Sequence, residues 1–143
     1  NLIENEEQQD FSVLANFVSK LNQTSLINLP CEIERIFNVH DYLKIMAIDV
    51  LIGNWDGYIF NKNNYYLYQN ENTGLLEYIP YDLDNTLGID WVGIDWGSRA
   101  VYSWNGSSTR PLFTRLLQVP NYRNEFTNYL HELQSLYFNS LIN

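Results

Sequence analysis

The sequence predicts an α+β fold that is mainly helical and contains one small β-hairpin. Apolar residues recur at spacings of three and four in the segments near both ends, and two strand-prone segments in the middle flank a turn. The chain has 143 residues, of which 45% are hydrophobic, so it is about one domain long and can bury an ordinary core. We therefore expect a single domain spanning residues 1–143.

The first twenty-odd residues fit an amphipathic helix. The residues predicted to form its apolar face are Phe11, Leu14, Val18 and Leu21. A connection over residues 22–30 leads into a short helix predicted at about 31–37. Cys31 is the one cysteine of the sequence, which excludes an internal disulfide and a multi-cysteine zinc site. We interpret it as a buried or spectator thiol.

A better-marked helix is predicted after Asn38. Asn38 is a favourable N-cap residue, and Asp41 follows in the first turn, where a negative charge is favourable. The apolar stripe of this helix comprises Leu43, Met46, Ala47, Val50 and Leu51. Gly53 is expected to end the helix, and the sequence Asn-Trp-Asp-Gly at 54–57 then marks a loop.

A β-hairpin is predicted over residues 65–81. The aromatic run Tyr-Tyr-Leu-Tyr at 65–68 and the segment 75–81 are strand-prone, and residues 70–74 have turn composition. Such a hairpin would bring the loop that precedes it, within the segment 54–68, close to the loop that follows it, within the segment 80–88. Both loops are acidic.

The last third of the chain is predicted to be irregular and then helical. Residues 84–110 are rich in Gly, Trp, Asp and Ser and show no sustained period, which is typical of a long irregular segment. Pro111 can begin a helix through residue 119, and Pro120 separates it from a final helix. The predicted apolar face of that helix contains Tyr122, Phe126, Leu130, Leu133 and Leu141. The four tryptophans, which we interpret as core residues, are Trp55, Trp91, Trp96 and Trp104.

The charge of the chain argues against a nucleic-acid partner. Its formal net charge is −9 and it contains only three lysines, whereas phosphate backbones are bound mainly by clusters of Lys and Arg. No apolar run approaches the roughly 18 to 20 residues that span a bilayer, so no membrane span is predicted.

The two acidic loops contain the groups that phosphoryl transfer needs. That reaction uses a carboxylate to orient or deprotonate the attacking hydroxyl, and an Asn and an Asp to hold Mg²⁺ against a triphosphate. Asp56, an Asn in the cluster at 61–64 and Asp82 fit these roles. Asp56 and Asn61 also have the spacing of the catalytic Asp and metal-binding Asn of protein kinases. Individually, each of these residues, like Asn63, also fits an ordinary turn or cap.

Two other function classes fit parts of the sequence. The sequence Asp-Leu-Asp-Asn-Thr at 82–86 matches the D-x-D-x-T signature of haloacid-dehalogenase phosphatases, but no lysine follows it to bind phosphate. Acidic loops interleaved with tryptophans also occur in calcium- or carbohydrate-binding modules. The predicted helices fit a kinase lobe better than a β-sandwich module.

Four segments resemble the CotH kinase family, named for spore coat protein H. They are the run 42–56, NNYYLY at 63–68, PYDLDNTLG at 80–88 and RPLFTRLLQVPNYRNEFTNYL at 110–130, and the resemblance covers almost the whole chain. It implies an atypical protein-kinase-like fold that binds ATP and Mg²⁺ and phosphorylates serine in a partner protein, unless the fold serves as a non-catalytic pseudokinase scaffold. It also implies a location in the spore coat or at the cell surface.

The resemblance assigns roles by position. Asp56 resembles the catalytic aspartate and Asp82 the metal-binding aspartate, while Asp84 would contact the metal through water. For the metal-binding asparagine, counting forward from Asp56 selects Asn61, whereas aligning backward from the aromatic strand selects Asn64. We prefer Asn64 because pairing fixes the register of a strand, whereas a loop tolerates insertions. Asn61, Asn64 and Asp82 are thus the expected nucleotide-binding residues.

The amino-terminal half of a kinase site is not recognisable in this sequence. A phosphate-pairing Lys on a strand, its Glu partner and a loop over the phosphates are all expected before Asp56, but Lys20 and Lys44 lie on helical patterns. We therefore expect this chain to be the carboxyl-terminal lobe of a longer protein whose amino-terminal lobe lies upstream of Asn1.

Overall fold

The computed structural model of the chain describes residues 10–138. Within them the fold is α+β, about half helical, with one two-stranded antiparallel sheet, as predicted. The α-helices are α1 (Ser12–Gln23), α2 (Leu29–Ile33), α3 (Val39–Leu51), α4 (Pro111–Thr114) and α5 (Pro120–Leu133), and a π-helical segment at Gln134–Phe138 continues α5. The strands are β1 (Tyr65–Gln69) and β2 (Leu76–Pro80).

The buried face of helix α1 is narrower than the apolar face that its sequence predicts. Phe17 and Leu21 are buried, whereas Phe11 and Val18 are about half exposed, so the predicted stripe is wrong at those two positions. The reason is the docking of α1 on α2 and α4, which selects the face centred on Phe17. The Phe17 ring lies 5.0 Å from that of Phe37, a contact that helical periodicity alone does not reveal.

Helix α2 begins two residues earlier than predicted. Leu29 and Ile33 are fully buried, and residues four apart lie on the same face of a helix. Cys31, between them, therefore points away from the core and is exposed. Of the two readings of Cys31, a buried or a spectator thiol, the buried one is wrong.

Helix α3 agrees with the prediction at both ends. Asn38 caps its first turn by accepting a hydrogen bond from the Asp41 N–H, and the predicted stripe is buried apart from a partly exposed Leu51. Gly53 follows the helix with a φ of +71°, the left-handed conformation that glycine adopts without steric cost. The core lies mainly between α3 and α5, where Tyr122, Phe126 and Leu130 are buried. Leu141 lies outside the described residues.

The hairpin has the predicted strands and is fixed against α3. Tyr65 pairs with Pro80 and Gln69 with Leu76. The Tyr78 ring of β2 lies 5.0 Å from the Tyr42 ring of α3, and Leu76 exchanges backbone hydrogen bonds with the chain just before α3. This packing places the open end of the hairpin, where Tyr65 pairs with Pro80, beside the loop that follows α3.

The segment between β2 and α4 is irregular, as predicted, apart from short 3₁₀ turns at Trp96–Ser98 and Val101–Ser103. Trp55, Trp96 and Trp104 are buried, which confirms their interpretation as core residues. Trp91 is 73% exposed, so the same interpretation is wrong for it. No helix in the described part of the chain has the length and apolar character needed to cross a membrane.

The helix predicted to start at Pro111 is shorter than expected. Helix α4 has four residues, and a 3₁₀ turn at Leu116–Gln118 follows it. Val119 then adopts an extended conformation, as residues before proline usually do, and Pro120 starts α5. The restriction imposed by Pro120 thus separates the two helices, as predicted.

Candidate functional site

Asp56 lies in the loop directly after α3 and is buried. Asp56 is only 9% exposed. None of the salt bridges found among the described residues includes it. The loop is fixed at its start, where the Asn54 N–H donates to the Asp49 carbonyl at 2.8 Å. Buried carboxylates are stable only when hydrogen-bonded, so the partners of Asp56 define the site.

Three asparagine amides donate to the Asp56 carboxylate. Asn61 Nδ2 donates to Oδ1, while Asn64 Nδ2 and Asn85 Nδ2 donate to Oδ2 at 2.9 and 3.0 Å. Hydrogen bonds to a charged group contribute about 1.5–3 kcal/mol each. The carboxylate is therefore held in one orientation by side chains from two different loops.

The structure brings both asparagine candidates to Asp56. Asn61 contacts one carboxylate oxygen and Asn64 the other, so contact with Asp56 does not separate them. Asn64 alone of the two also approaches the second loop, since its Nδ2 lies 3.4 Å from the Asp82 carbonyl oxygen. The Tyr81 N–H donates to the Asn64 carbonyl at 2.9 Å, which extends the hairpin ladder to the site.

Asn64 and Asp82 both have a left-handed backbone. Their φ angles are +54° and +51°, in the region that Asn and Asp enter more readily than other non-glycine residues. Strained backbone of this kind clusters at active sites and ligand clamps. Asp82 and Asp84 are both exposed and lie in the loop that contacts Asp56 through Asn85.

The side chains present fit a magnesium ion by their chemistry. Mg²⁺ prefers oxygen ligands and is usually held by one or two carboxylates together with substrate phosphates. Because Asn64 turns its Nδ2 toward Asp56, its Oδ1 is left as an acceptor to which no described residue donates. The exposed carboxylate of Asp82 lies in the adjoining loop. Over residues 10–138 no cluster of three or more His, Cys, Asp or Glu side chains is placed to hold a metal.

Asn85 is a site residue that the sequence did not reveal. It is buried and contacts Asp56 across 29 positions of sequence, from within a loop that has no periodic pattern. Its position directly after Asp82 and Asp84 is the one signal in the sequence that could have indicated it.

A second buried carboxylate lies beneath the loop. Asp49, in the last turn of α3, is 3% exposed and accepts a hydrogen bond from Asn54 Nδ2 at 3.0 Å. Burial raises the pKa of Asp49 to about 6, and the Asn54 hydrogen bond partly opposes this rise. A Cβ at residue 57 would lie 3.0 Å from Asn54 Nδ2, so any larger residue there would require Asn54 to shift by a few tenths of an ångström.

We expect Asp49→Asn to stabilise the protein at neutral pH. A folded-state pKa of about 6 exceeds the unfolded value of 3.8, so the folded state binds the extra proton and stability falls as pH rises from about 4 to 6. The full cost above that window is about 3 kcal/mol. An Asn keeps the acceptor for Asn54 and removes the buried charge, while its own buried Nδ2 lacks an acceptor and offsets part of the gain. Urea unfolding at pH 4.5 and 7 should show a flatter pH dependence in the variant, whereas an unchanged slope would contradict the raised pKa.

Arg110 fixes the far side of the loop that carries Asp56. It is 3% exposed and donates to three backbone carbonyls, at 2.9 Å from Nε to Tyr58, at 2.9 Å from Nη1 to Thr109, and from Nη2 to Phe60. From the sequence, Arg110 ends the irregular segment and begins the segment at 110–130 that resembles the CotH family, but its contacts with the loop of Asp56 were not predicted. Its guanidinium satisfies carbonyls that would otherwise be buried without donors.

We expect Arg110→Met to lower the free energy of unfolding by about 3 kcal/mol, because it leaves buried carbonyls without donors. Arg110→Lys should recover only part of this loss, since an ammonium cannot reproduce the planar fork of donors. Urea denaturation of both variants measures the difference. Equal stability of Arg110→Met and the wild type would show that the loop does not depend on this residue.

Lys20 and Lys44 lie on helices, as their sequence patterns predict. Lys20 forms a salt bridge with Glu32 of α2, and Lys44 lies over the Tyr129 ring at 5.5 Å from its centroid. Both contacts are between helices of the core and not at the loop that carries Asp56.

Comparison with known proteins identifies the family. The sequence model of the CotH family, described as CotH kinase protein, matches residues 2–141. Inner spore coat protein H of Bacillus subtilis (strain 168) is 33% identical over 132 residues, which is 92% of this chain and 34% of that protein. The chain thus spans about a third of the length of this curated relative. On this match the chain belongs to the CotH kinase protein family.

Proposed function

We propose that this chain is the carboxyl-terminal, protein-kinase-like lobe of a longer protein that transfers the γ-phosphate of ATP to a serine of a partner protein. The observation that carries the proposal is the buried Asp56 carboxylate, held by Asn61, Asn64 and Asn85 where two acidic loops meet. Phosphoryl transfer depends mainly on positioning and electrostatics, and a fixed carboxylate beside an Asn and an Asp meets that requirement.

The hydrogen bonds of Asp56 indicate which of its atoms would receive the serine proton. A carboxylate has about four acceptor sites, two on each oxygen. The two amides of Asn64 and Asn85 use both sites on Oδ2, while Asn61 uses one on Oδ1. The remaining site is on Oδ1. In this proposal the serine hydroxyl donates there and is oriented or deprotonated by Asp56.

The nucleotide would be held on the other side of Asn64. Its Oδ1 and the carboxylate of Asp82 are the proposed metal ligands, with Asp84 acting through water and Asn61 near the nucleotide. Bound Mg²⁺ would neutralise the charge on the phosphate groups during transfer. The exposure of Asp82 and Asp84 leaves room for phosphate and water beside them.

The cellular setting follows from the relative. Inner spore coat protein H carries its location in its name, and we propose that the parent protein of this chain also acts in the spore coat or at the cell surface. The acceptor would then be a protein of the same layer.

Two alternatives remain testable beside this one. A calcium- or carbohydrate-binding module is favoured by Trp91, which is 73% exposed within an acidic segment. A pseudokinase scaffold would keep the fold without transfer. The phosphatase alternative needs a larger sheet, and residues 81–138 contain no β-strand.

A thermal-shift panel on the longer protein separates nucleotide binding from the binding-module alternative, while a transfer assay separates the kinase from a pseudokinase scaffold. We expect ATP with Mg²⁺ to raise the melting temperature, and Ca²⁺ or sugars alone to leave it unchanged, because ligands stabilise only the state that binds them. Stabilisation by sugars or Ca²⁺ but not by Mg²⁺ and ATP would favour the binding module.

A further inference from the structure

Asn85 connects the two loops of the site. Its residue is 9% exposed, and its Nδ2 donates to Asp56 Oδ2 at 3.0 Å. Asn61 and Asn64 come from the same loop as Asp56, whereas Asn85 comes from the loop that carries Asp82. The position of Asp56 is thereby tied to the loop proposed to hold the metal.

The other end of the Asn85 amide is unsatisfied. Its Oδ1 is buried and accepts no hydrogen bond from any described residue. Turning the amide over would not relieve this, because Oδ1 would then face the Asp56 carboxylate. A buried acceptor without a donor destabilises a fold, so stability alone would favour an apolar residue of similar shape here. The hydrogen bond to the Asp56 carboxylate is the one contact that an amide makes here and an apolar side chain could not.

The backbone around Asn85 is fixed by local hydrogen bonds. The Leu87 N–H donates to the Ile52 carbonyl at 2.6 Å, which anchors the loop to the end of α3, and Thr86 Oγ1 donates to the Leu83 carbonyl at 3.0 Å. Thr86 is buried as well. A side chain on such a backbone can hold a partner in place.

We propose that Asn85 is a positioning residue for Asp56. By occupying Oδ2 together with Asn64, it keeps the remaining acceptor site of the carboxylate on Oδ1, where the serine hydroxyl is to donate. Asn85 touches neither the hydroxyl nor the nucleotide and acts through Asp56. This role rests on the proposed phosphate transfer, and exchange of the Asn85 amide protons distinguishes failure of the role from failure of that function.

The kinetic test uses Asn85→Leu in the longer protein. Misplacing a reacting group by a small distance costs up to about a hundredfold in rate, so we expect kcat to fall by about tenfold to a hundredfold. The KM values for ATP and for the acceptor protein should change by less than about threefold, since uniform binding is not affected. The matched control is Asn105→Leu, which removes an equally buried amide whose Nδ2 donates to the Ser108 carbonyl. That control should retain the wild-type kcat.

Two kinetic results would overturn the inference. One is a kcat within about twofold of the wild type in Asn85→Leu, and the other is an equal loss in Asn105→Leu, which would indicate a general effect of losing a buried amide. A further comparison places Asn85→Leu in the Asp56→Asn background. If Asn85 acts through Asp56, the double variant should be no slower than Asp56→Asn alone.

If the wild-type protein transfers no phosphate, the proposed function fails and nuclear magnetic resonance then decides the role of Asn85. The side-chain amide protons of Asn85 should be protected from solvent exchange and lose that protection by at least about tenfold in Asp56→Ala, while those of Asn105 should not change. Unprotected Asn85 protons in the wild type would show that the amide does not hold the carboxylate.

Discussion

Replacing Asp56 with Asn is expected to lower phosphate transfer to serine by about 10²–10⁴-fold, the range typical for loss of a general base. The amide has nearly the shape of the carboxylate but cannot take a proton from the serine hydroxyl.

The fold can adapt to this substitution. One of the surrounding asparagines must turn its amide so that its carbonyl oxygen accepts a hydrogen bond from the Nδ2 that the substitution introduces at position 56. Because Asn61 is exposed, it can turn without disturbing the core. The rate should therefore fall much more than the stability does.

Steady-state rates and urea unfolding on the same preparation of Asp56→Asn measure both quantities. Glu71→Gln is the matched control, since it also exchanges an acid for its amide but lies in the hairpin turn, at the opposite end from Asn64 and Asp82. It should retain full activity. Undiminished transfer by purified Asp56→Asn would show that Asp56 is not the base.

Asp82→Asn is expected to weaken binding of ATP with Mg²⁺ by at least about a hundredfold. Loss of a residue that only supports a metal ligand already costs about 10–100-fold in affinity, and Asp82 is proposed as a ligand itself. The choice of Asn matters because the φ of residue 82 is +51°. Asn tolerates this conformation, whereas Ala would add backbone strain. With Ala, the effect of the lost charge could not be separated from the effect of that strain. The variant thus removes the charge and keeps the backbone.

Calorimetry with Mg²⁺ and ATP measures the affinity of this variant. Asp84→Asn is the comparison within the same loop, and its effect should be smaller, because a contact through water depends less on a full negative charge. Equal affinities of Asp82→Asn and the wild type would exclude Asp82 as a metal ligand. A larger effect at Asp84 than at Asp82 would exchange their roles.

Local signals in the sequence were sufficient for the elements that present the site. Asn38 and Gly53 marked both ends of α3, and the hairpin followed from an aromatic run and a turn. Because two paired strands return the chain to its start, the approach of the loops at Asp56 and Asp82 could be expected without coordinates. Asn64, directly before β1, was accordingly expected near Asp56, and its Nδ2 donates to that carboxylate.

The contacts that fix Asp56 from a distance could not be predicted in this way. Asn85 lies in an irregular loop, and Arg110 reaches backbone carbonyls 50 or more positions away, so neither leaves a periodic or capping pattern. The exposure of Cys31 and Val18 was missed for a related reason. It depends on which face of a short helix docks, and tertiary packing decides that.

Transfer of an isotopically marked phosphate tests the central proposal most directly. The longer protein containing this chain would be incubated with Mg²⁺ and ATP that carries ¹⁸O in its γ-phosphoryl group, and acceptor proteins would be analysed by mass spectrometry. We predict phosphoserine with the heavy phosphoryl group, formed by the wild type in the presence of Mg²⁺ and not by Asp56→Asn. The absence of heavy phosphoserine with the wild type, or its equal formation by Asp56→Asn, would contradict the proposal.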